Sequence, residues 1–377
     1  MSRFLGTDKI LLAGLIVCLG VILVSPMVVS CFVGDEIGTE EMAGKRPFCR
    51  PCPPCPELDA TILPTPDSSL PIADVLPPDA PPDALPPPTG SCTIFPSDNP
   101  WNTDVSGYPV HSNSANFIAY IGKDLPLHPD FGENNSGIPY MYRPANQPMV
   151  PITFFDYPEE SDPGPYPIPY NAPIEIGIDK HVIVVDLITC KLFEMYNASV
   201  QVDITGNPIG WRASCGAVFN LASNALRPIG WTAGDAAGLP MFAGLVRWEE
   251  IEQGEIGHAL RFTVGRTQKA FVLPATHYAS SITNTNAPPM GLRFRLKADR
   301  DISMFSETNQ IILRALKKYG MILADNGGNW YLSGAPSSHW SDDDLFRMKF
   351  GSDWSGKDSI RGSDFEVINT GTIHTQY

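Results

Sequence analysis

Residues 181–186 read HVIVVD, and residues 191–196 read KLFEMY. The first run is apolar on both of its alternating faces, which is the pattern of a strand buried on both sides. The second run follows after a short connection and predicts its hairpin partner. This pair therefore predicts a central position in a β-sheet.

Working outward, most other patterned segments also predict strands, separated by turn-forming Gly, Pro and Asn. The predicted strands are residues 150–157, 213–221, 259–264, 270–273, 291–298 and 321–325. No repeat of 20–50 residues recurs, which disfavours a propeller or solenoid. The fold class predicted is mainly β, a β-sandwich of jelly-roll type.

Helical spacing is scarce and predicts only a few short helices. The clearest amphipathic pattern covers residues 307–319, with Ser306 placed to cap it and Gly320 to end it. Residues 246–253 and 342–349 predict two further short helices.

The N-terminus has the pattern of an export signal. Arg3 and Lys9 precede an apolar run over residues 10–29, which ends in Val28-Val-Ser-Cys31. This ending resembles the lipobox of bacterial lipoproteins, which implies a signal peptide over residues 1–30 and a lipid on Cys31. The alternative is an uncleaved transmembrane helix. Both place the remaining chain outside the cytoplasm, anchored in the cell envelope at an outer membrane or cell surface.

Residues 31–90 are rich in Cys and Pro and predict an extended linker, followed by a single β-rich domain over residues 91–377. Proline fixes φ and removes backbone donors, so this stretch favours polyproline II. The net charge of −15 argues against nucleic acid as the main partner, since phosphate binding requires excess Lys and Arg.

An oxidising compartment favours disulfides among the remaining cysteines. Cys190 and Cys215 both lie in strand-like segments and are the predicted pair. Cys92 is expected to pair with one of the N-terminal cysteines, and a zinc site is the alternative for that cluster, which comprises Cys49, Cys52 and Cys55. No cofactor motif is predicted elsewhere.

The richest constellation for chemistry lies in residues 230–263. Sugar hydrolysis requires two carboxyl groups near aromatic faces, and Asp235 with Glu250 is the predicted catalytic pair. The alternative places Asp235 in a turn and the glutamates on a solvated helix face. The stretch also supplies candidate binding or catalytic side chains: Trp231, Arg247, Trp248, His258 and Arg261.

Residues 291–299 read GLRFRLKAD and alternate apolar with basic side chains. Arg293, Arg295 and Lys297 share one face. With Arg261 on a neighbouring strand they would form a basic groove for acidic groups on a substrate. A solvated face paired with surrounding acids is the alternative.

Three further residues are candidates for catalysis or binding. His258 shares a face with apolar residues, so it is either a buried histidine or a base, while His277 lies at a strand end where functional side chains collect. Asp325 leaves a strand at a glycine turn beside Trp330. It is a candidate acid, a calcium ligand with Asn326, or an Asx-turn residue.

Four runs resemble those of a family of secreted proteins from environmental bacteria for which no activity is assigned. The runs are GWTAGDAAGLP (230–240), GHALRFTV (257–264), PPMGLRFRLKAD (288–299) and LKKYGMILADNGGNW (316–330). The resemblance implies one exported domain and no particular mechanism.

These observations favour a membrane-anchored glycoside hydrolase acting on polysaccharide at the cell surface or in the environment. One alternative is a lyase for acidic polysaccharide that uses His258 or His277 with Arg261 and Arg293. The other is a non-catalytic carbohydrate-binding or cell-surface module.

Overall fold

The computed structural model describes residues Cys92–Tyr377, and strands are its most frequent regular element. In chain order they are β1 (His128–Asp130), β2 (Met141–Tyr142), β3 (Ile152–Phe154), β4 (Val182–Asp186), β5 (Lys191–Tyr196), β6 (Ser199–Val202), β7 (Pro208–Ala213), β8 (Cys215–Asn220), β9 (Leu260–Val264), β10 (Phe271–Val272), β11 (Arg293–Leu296), β12 (Met321–Asn326), β13 (Tyr331–Ser333), β14 (Phe365–Val367) and β15 (Ile373–His374).

The described residues also form short helices, including the three that the sequence predicts. They are α1 (Ser114–Ile121), α2 (Trp248–Gln253), α3 (Glu307–Lys318) and α4 (Asp342–Phe350). The Ser306 side chain accepts from the backbone N–H of Asn309 and so caps α3 as expected. Gly254 ends α2 in the left-handed conformation, with φ 81°.

The strand predicted over residues 181–186 is β4, and it lies inside a sheet of order β2-β4-β5-β8. Strand β5 pairs with β4 antiparallel, as a hairpin partner does. The side chains of Ile183 and Val185 pack in one hydrophobic cluster, whereas those of Val182 and Val184 pack in another. Both faces of β4 are therefore buried, which confirms the prediction from its double apolar pattern.

The cluster that contains Ile183 and Val185 is the larger of the two, and it packs against a six-stranded sheet of order β1-β13-β9-β12-β11-β14. Helix α3 connects β11 to β12. Its apolar face, with Ile312 and Leu316, packs in the same cluster. Strand β9 inserts between β12 and β13, although those two follow each other in the chain. The turn after Asn326 therefore crosses β9 and does not close a hairpin.

A three-stranded sheet of order β3-β7-β6 contributes Ile152, Trp211 and Ala213 to the smaller cluster. Strands β10 and β15 form a separate antiparallel pair. Parallel pairs occur in three sheets, for example β9 with β12. A jelly roll is antiparallel throughout. The mainly β class is confirmed, and the jelly-roll topology is not.

The cysteine pairing differs from the prediction. Cys190 is bonded to Cys92, with Cα atoms 5.6 Å apart, and Cys215 is a buried free thiol. Both expected pairings, of Cys190 with Cys215 and of Cys92 with an N-terminal cysteine, are therefore wrong. Cys190 and Cys215 lie at opposite ends of the β5–β8 pair, since Cys215 is opposite Tyr196.

The proposed signal peptide, Cys31, the linker and the cluster of Cys49, Cys52 and Cys55 lie outside the described residues. Within Cys92–Tyr377, no helix combines the length and apolar character that a membrane crossing requires.

Candidate functional site

A cavity of about 440 Å³ opens on the polar face of the six-stranded sheet. Strand β9 reads LRFTV, so Leu260, Phe262 and Val264 face the core while Arg261 and Thr263 face the opposite side. The cavity is lined by Asp130, Asn134, Asn135, Ser136, Gly137, Ile138, Glu175, Ile176, Asp179, His181, Arg261, Thr263, Asp325, Asn326, Gly327, Gly328 and Ser333.

Register explains why these side chains meet. On β12, Asp325 is opposite Thr263, and on β1, Asp130 is opposite Ser333 of β13. The Nη1 group of Arg261 donates to the Oγ of Ser333. Residues far apart in the chain therefore form a polar row across neighbouring strands.

Arg261 is held from below by Asp235, which is fully buried and does not line the cavity. The Nε of Arg261 donates to the two oxygens of Asp235 at 2.8 and 3.0 Å, and its Nη2 also donates to this carboxylate. Burial opposes the charged guanidinium, but the negative charge of Asp235 outweighs it and raises the pKa of Arg261. The pair fixes the guanidinium of Arg261 in the cavity wall, with its positive charge balanced by Asp235.

Asp325 stands beside this charge and is partly exposed to the cavity, with 24% of its side chain accessible. Its oxygens accept from the backbone N–H groups of Ala236, at 3.2 Å, and Asn326, at 2.6 Å. Burial and the charge of Asp235 raise the pKa of Asp325 to about 6, against the opposing effect of Arg261. Trp330, the expected neighbour of an exposed Asp325, is instead fully buried.

Glu175 and His181 form a second pair on the cavity wall. The Nδ1 of His181 lies 2.5 Å from Oε2 of Glu175, and its Nε2 lies 3.3 Å from the carbonyl oxygen of Gly234. Burial opposes charge on both groups, but their hydrogen bond and mutual attraction outweigh it. The pKa of Glu175 is therefore lowered and that of His181 is raised, which favours the carboxylate–imidazolium form.

A further carboxyl group, that of Glu194 on β5, is fully buried. It accepts from the backbone N–H groups of Met241 and Phe242 at 3.0 and 2.9 Å. Burial raises its pKa to about 7, and the charge of Asp235 acts in the same direction. Glu194 does not line the cavity and belongs to its supporting structure.

The expected catalytic pair is not brought together in this cavity. Glu250 is bound by Arg247, with 2.6 Å between Oε1 and Nη2, and its Oε2 lies 3.1 Å from Nε2 of His258. All three are buried, and no polar contact of the described residues joins this cluster to Asp235. His258 is therefore the buried, hydrogen-bonded histidine that the sequence offered as one of its two alternatives.

The basic face of β11 is also not a groove. Arg293 donates to the backbone carbonyls of Pro100, Thr103 and Tyr319, and only 3% of it is exposed. Arg295 binds Glu366 and the carbonyls of residues 105, 106 and 108. The segment before α1 covers this face, so Arg293 is a structural residue. The substrate-groove expectation is therefore wrong, and of the alternative only the pairing with an acid is found, between Arg295 and Glu366, since both arginines are buried.

The remaining binding candidates lie outside the cavity lining as well. Trp231 lies below the guanidinium of Arg227, and Trp248 stacks on the ring of His339. His277 points its Nδ1 at the carbonyl of Ala236, 2.7 Å away. Of the sequence candidates, the cavity brings together only Arg261 and Asp325, supported from behind by Asp235.

Among the described residues, no three His, Cys, Asp or Glu side chains are arranged to hold one metal ion. No family model, curated protein or solved structure matches this chain.

Sequence reasoning missed Glu175, His181 and Asp130. The segment 175–181, which precedes the buried strand β4, contains Glu175, Asp179 and His181. Asp130 is the last residue of β1. Polar side chains at the ends of buried strands were the available signal. The sequence does not reveal which strand ends meet.

Proposed function

We propose that this chain hydrolyses glycosidic bonds, with its active site in the cavity above Arg261. The observation that supports this is a pair of carboxyl groups whose pKa values are shifted in opposite directions within one cavity. The pKa of Asp325 is raised to about 6, while the pKa of Glu175 is lowered by His181. Opposite shifts of two carboxyl groups are the pattern of an acid and its anionic partner in glycoside hydrolysis.

In this proposal Asp325 is the general acid. Below its pKa it carries a proton that it donates to the leaving glycosidic oxygen. Asp235 contributes through Arg261 and through its charge, which disfavours ionisation of Asp325. Asp235 is thus a positioning residue, buried beneath the group that acts.

Glu175 is the ionised partner that stabilises the cationic transition state, either as a base toward water or as a nucleophile. His181 holds it through a 2.5 Å contact and keeps it charged. The anomeric configuration of the first product distinguishes the two roles, since a nucleophile retains the configuration and a base inverts it.

The lining suits a hydroxylated ligand. Amide and hydroxyl side chains surround the carboxyl groups: Asn134, Asn135, Ser136, Asn326 and Ser333. Each can donate to and accept from sugar hydroxyls. The arginines expected for a lyase do not converge, since Arg293 is covered and Arg261 is bound to Asp235. Hydrolysis is therefore favoured over elimination.

The test is release of reducing ends from a panel of neutral, aminated and acidic polysaccharides. Asp325→Asn and Glu175→Gln should each lower kcat by about 100-fold or more, because a positioned acid or base contributes about that factor. Asp299→Asn, an exposed carboxylate without a polar contact among the described side chains, is the matched control. Full activity in either site variant, in folded protein, would rule out this assignment.

We further propose that a lipid on Cys31 anchors the chain in the cell envelope, where it meets polysaccharide. The lipobox-like ending at Val28-Val-Ser-Cys31 supports this. Labelled palmitate should enter the full-length protein and not the Cys31→Ser variant. A wild-type chain that is membrane-bound but unlabelled would favour the transmembrane alternative instead.

A further inference from the structure

The charges around the cavity are unbalanced. Four carboxyl-bearing residues line it: Asp130, Glu175, Asp179 and Asp325. The cationic side chains that face them are Arg261 and His181, and each already has a carboxylate partner. Even when Asp325 carries its proton, Asp130 and Asp179 form no salt bridge with a Lys or Arg of the described residues, so a ligand entering the cavity meets excess negative charge.

Asp130 contributes to this imbalance. Its basic neighbour is His128, whose Nε2 lies 4.0 Å from Oδ1 of Asp130, while the charge of Arg261 acts on Asp130 without a salt bridge. Burial and the neighbouring Lys349 lower the pKa of His128 to about 4, so it is neutral near pH 7. Among the described residues, no Lys or Arg forms a salt bridge with Asp130 or with Asp179.

Asp130 is also held in place, unlike an acid on a free loop. It ends β1, where its backbone pairs with Ser333 of β13, next to the strand that carries Arg261. Its side chain is 56% exposed, so a ligand can reach the carboxylate, while partial burial still disfavours its charge and raises its pKa. A cation bound at this carboxylate would offset that cost.

Other residues of the cavity lining add amide and apolar groups. Asn134 and Asn135 occupy left-handed backbone conformations, with φ of 53° and 64°, and present amides at the cavity wall. Ile176, which is 69% exposed, adds an apolar surface against which the C–H face of a sugar ring could pack. The lining thus combines groups for hydroxyls, for C–H surface and for positive charge.

We propose that the substrate is a glycan with free amino sugars, and that Asp130 binds its protonated amine, while Asp179 in the same lining adds to the negative charge. This inference rests on the proposed glycosidase function and specifies its substrate class. An ammonium group satisfies the unpaired carboxylate, whereas an N-acetyl group offers no charge. A uronate would place a further negative charge among four acids.

The test compares β-1,4-linked glucosamine oligosaccharides with N-acetylglucosamine oligosaccharides of the same length, and with a uronate oligosaccharide. Binding is measured by calorimetry on the folded protein at mildly acidic pH, where the amine is protonated, and hydrolysis is measured in parallel. We expect the aminated ligand to bind at least about tenfold more tightly, with a preference that weakens as salt is raised. Equal or tighter binding of the acetylated ligand would overturn the proposal.

The two proposals fail differently. Hydrolysis of acetylated or neutral glycans without any preference for amines would retain the glycosidase and refute the amine specificity. Amine-selective binding without turnover of any glycan would support the recognition and refute the glycosidase.

Asp130→Asn should reduce the binding ratio of aminated to acetylated ligand by about fivefold, the contribution of one partly exposed charge pair. Asp299→Asn removes the same charge from an exposed position outside the cavity lining and should leave the ratio unchanged. If both variants change the ratio equally, the preference arises from net charge and not from Asp130, which would contradict the assignment.

Discussion

The Nη2 atom of Arg261 lies 3.7 Å from Oδ2 of Asp325, although the same guanidinium is already bound to Asp235. Its charge is therefore shared between two carboxyl groups, one buried and one facing the cavity. The buried group holds the closer contacts. Burial and the charge of Asp235 therefore outweigh the attraction of Arg261 and raise the pKa of Asp325 to about 6.

This relationship predicts the pH dependence of activity. Asp325 must be protonated to act as an acid, so kcat should fall as the pH rises through about 6. The lowered pKa of Glu175 places the opposing acidic limb below the ordinary range of a glutamate. A pH–rate profile with soluble oligosaccharide measures both limbs. Activity that increases from pH 6 to pH 8 would be incompatible with Asp325 as the acid.

Removing Arg261 should destabilise the fold as well as the site. Arg261→Ala removes the partner of the buried Asp235 carboxyl group, whose charge burial already disfavours, and we expect this to cost about 3–5 kcal/mol of unfolding free energy. Arg261→Lys keeps the charge but loses the forked geometry, so its loss should be smaller. Denaturant unfolding measures both, with Arg266→Ala at an exposed neighbouring position as the control. A change below about 1 kcal/mol in Arg261→Ala would show that Asp235 does not depend on this partner.

Glu194 should make the fold less stable as the pH rises. Its pKa is raised from 4.5 to about 7, so the folded state holds its proton more tightly than the unfolded state does. The stabilisation is present at low pH and is lost as the pH rises through this interval, up to about 3 kcal/mol. Glu194→Gln, which does not titrate, should flatten this part of the stability curve. An unchanged slope in the variant would assign the effect to other groups.

The cysteine arrangement predicts a distinct chemical pattern. Without reductant, Cys92 and Cys190 should be recovered in one linked peptide, while Cys215 reacts with alkylating reagents only after unfolding. Burial raises the pKa of the Cys215 thiol to about 12, which further slows its reaction. Cys190→Ser should cost about 2–5 kcal/mol, because the bond closes a 98-residue separation. A peptide linking Cys190 to Cys215 would contradict the structure.

Variants of Glu250 and Asp325 should distinguish a structural carboxylate from a catalytic one. Glu250→Gln weakens its buried pair with Arg247, so we expect a loss of about 1–3 kcal/mol in unfolding free energy. Its kcat should stay near the wild-type value, because Glu250 does not line the cavity. Asp325→Asn should show the reverse, with lost turnover and retained stability. A large kcat loss in Glu250→Gln at full stability would return this residue to the active site.

Local patterns determined much of the fold. The double apolar face of residues 181–186 identified a strand buried on both sides, and Ser306 and Gly320 bounded α3. Both features depend on neighbours within a few residues, which a sequence displays directly. For the same reason, the alternation in β11 correctly indicated one apolar and one basic face.

Contacts between residues distant in the chain could not be predicted from local patterns. Nothing in the alternation of β11 shows that the segment before α1 covers its arginines, or that Cys190 meets Cys92. Each outcome depends on contacts between residues separated by many positions, and many such pairings are compatible with the same local pattern. The predicted pair of Asp235 and Glu250 is not brought together in the cavity, since neither residue lines it and each has a different arginine partner.

By itself, the sequence determined that the chain is acidic and rich in strands, and it predicts an export signal at the N-terminus. Only the tertiary structure decided which charged residues meet. The insertion of β9 between β12 and β13 places Arg261 beside Asp325 and Ser333, and the loop before β4 brings Glu175 to the same cavity. Strand order sets these distances, and through distance and burial it sets the charge state on which the proposed chemistry depends.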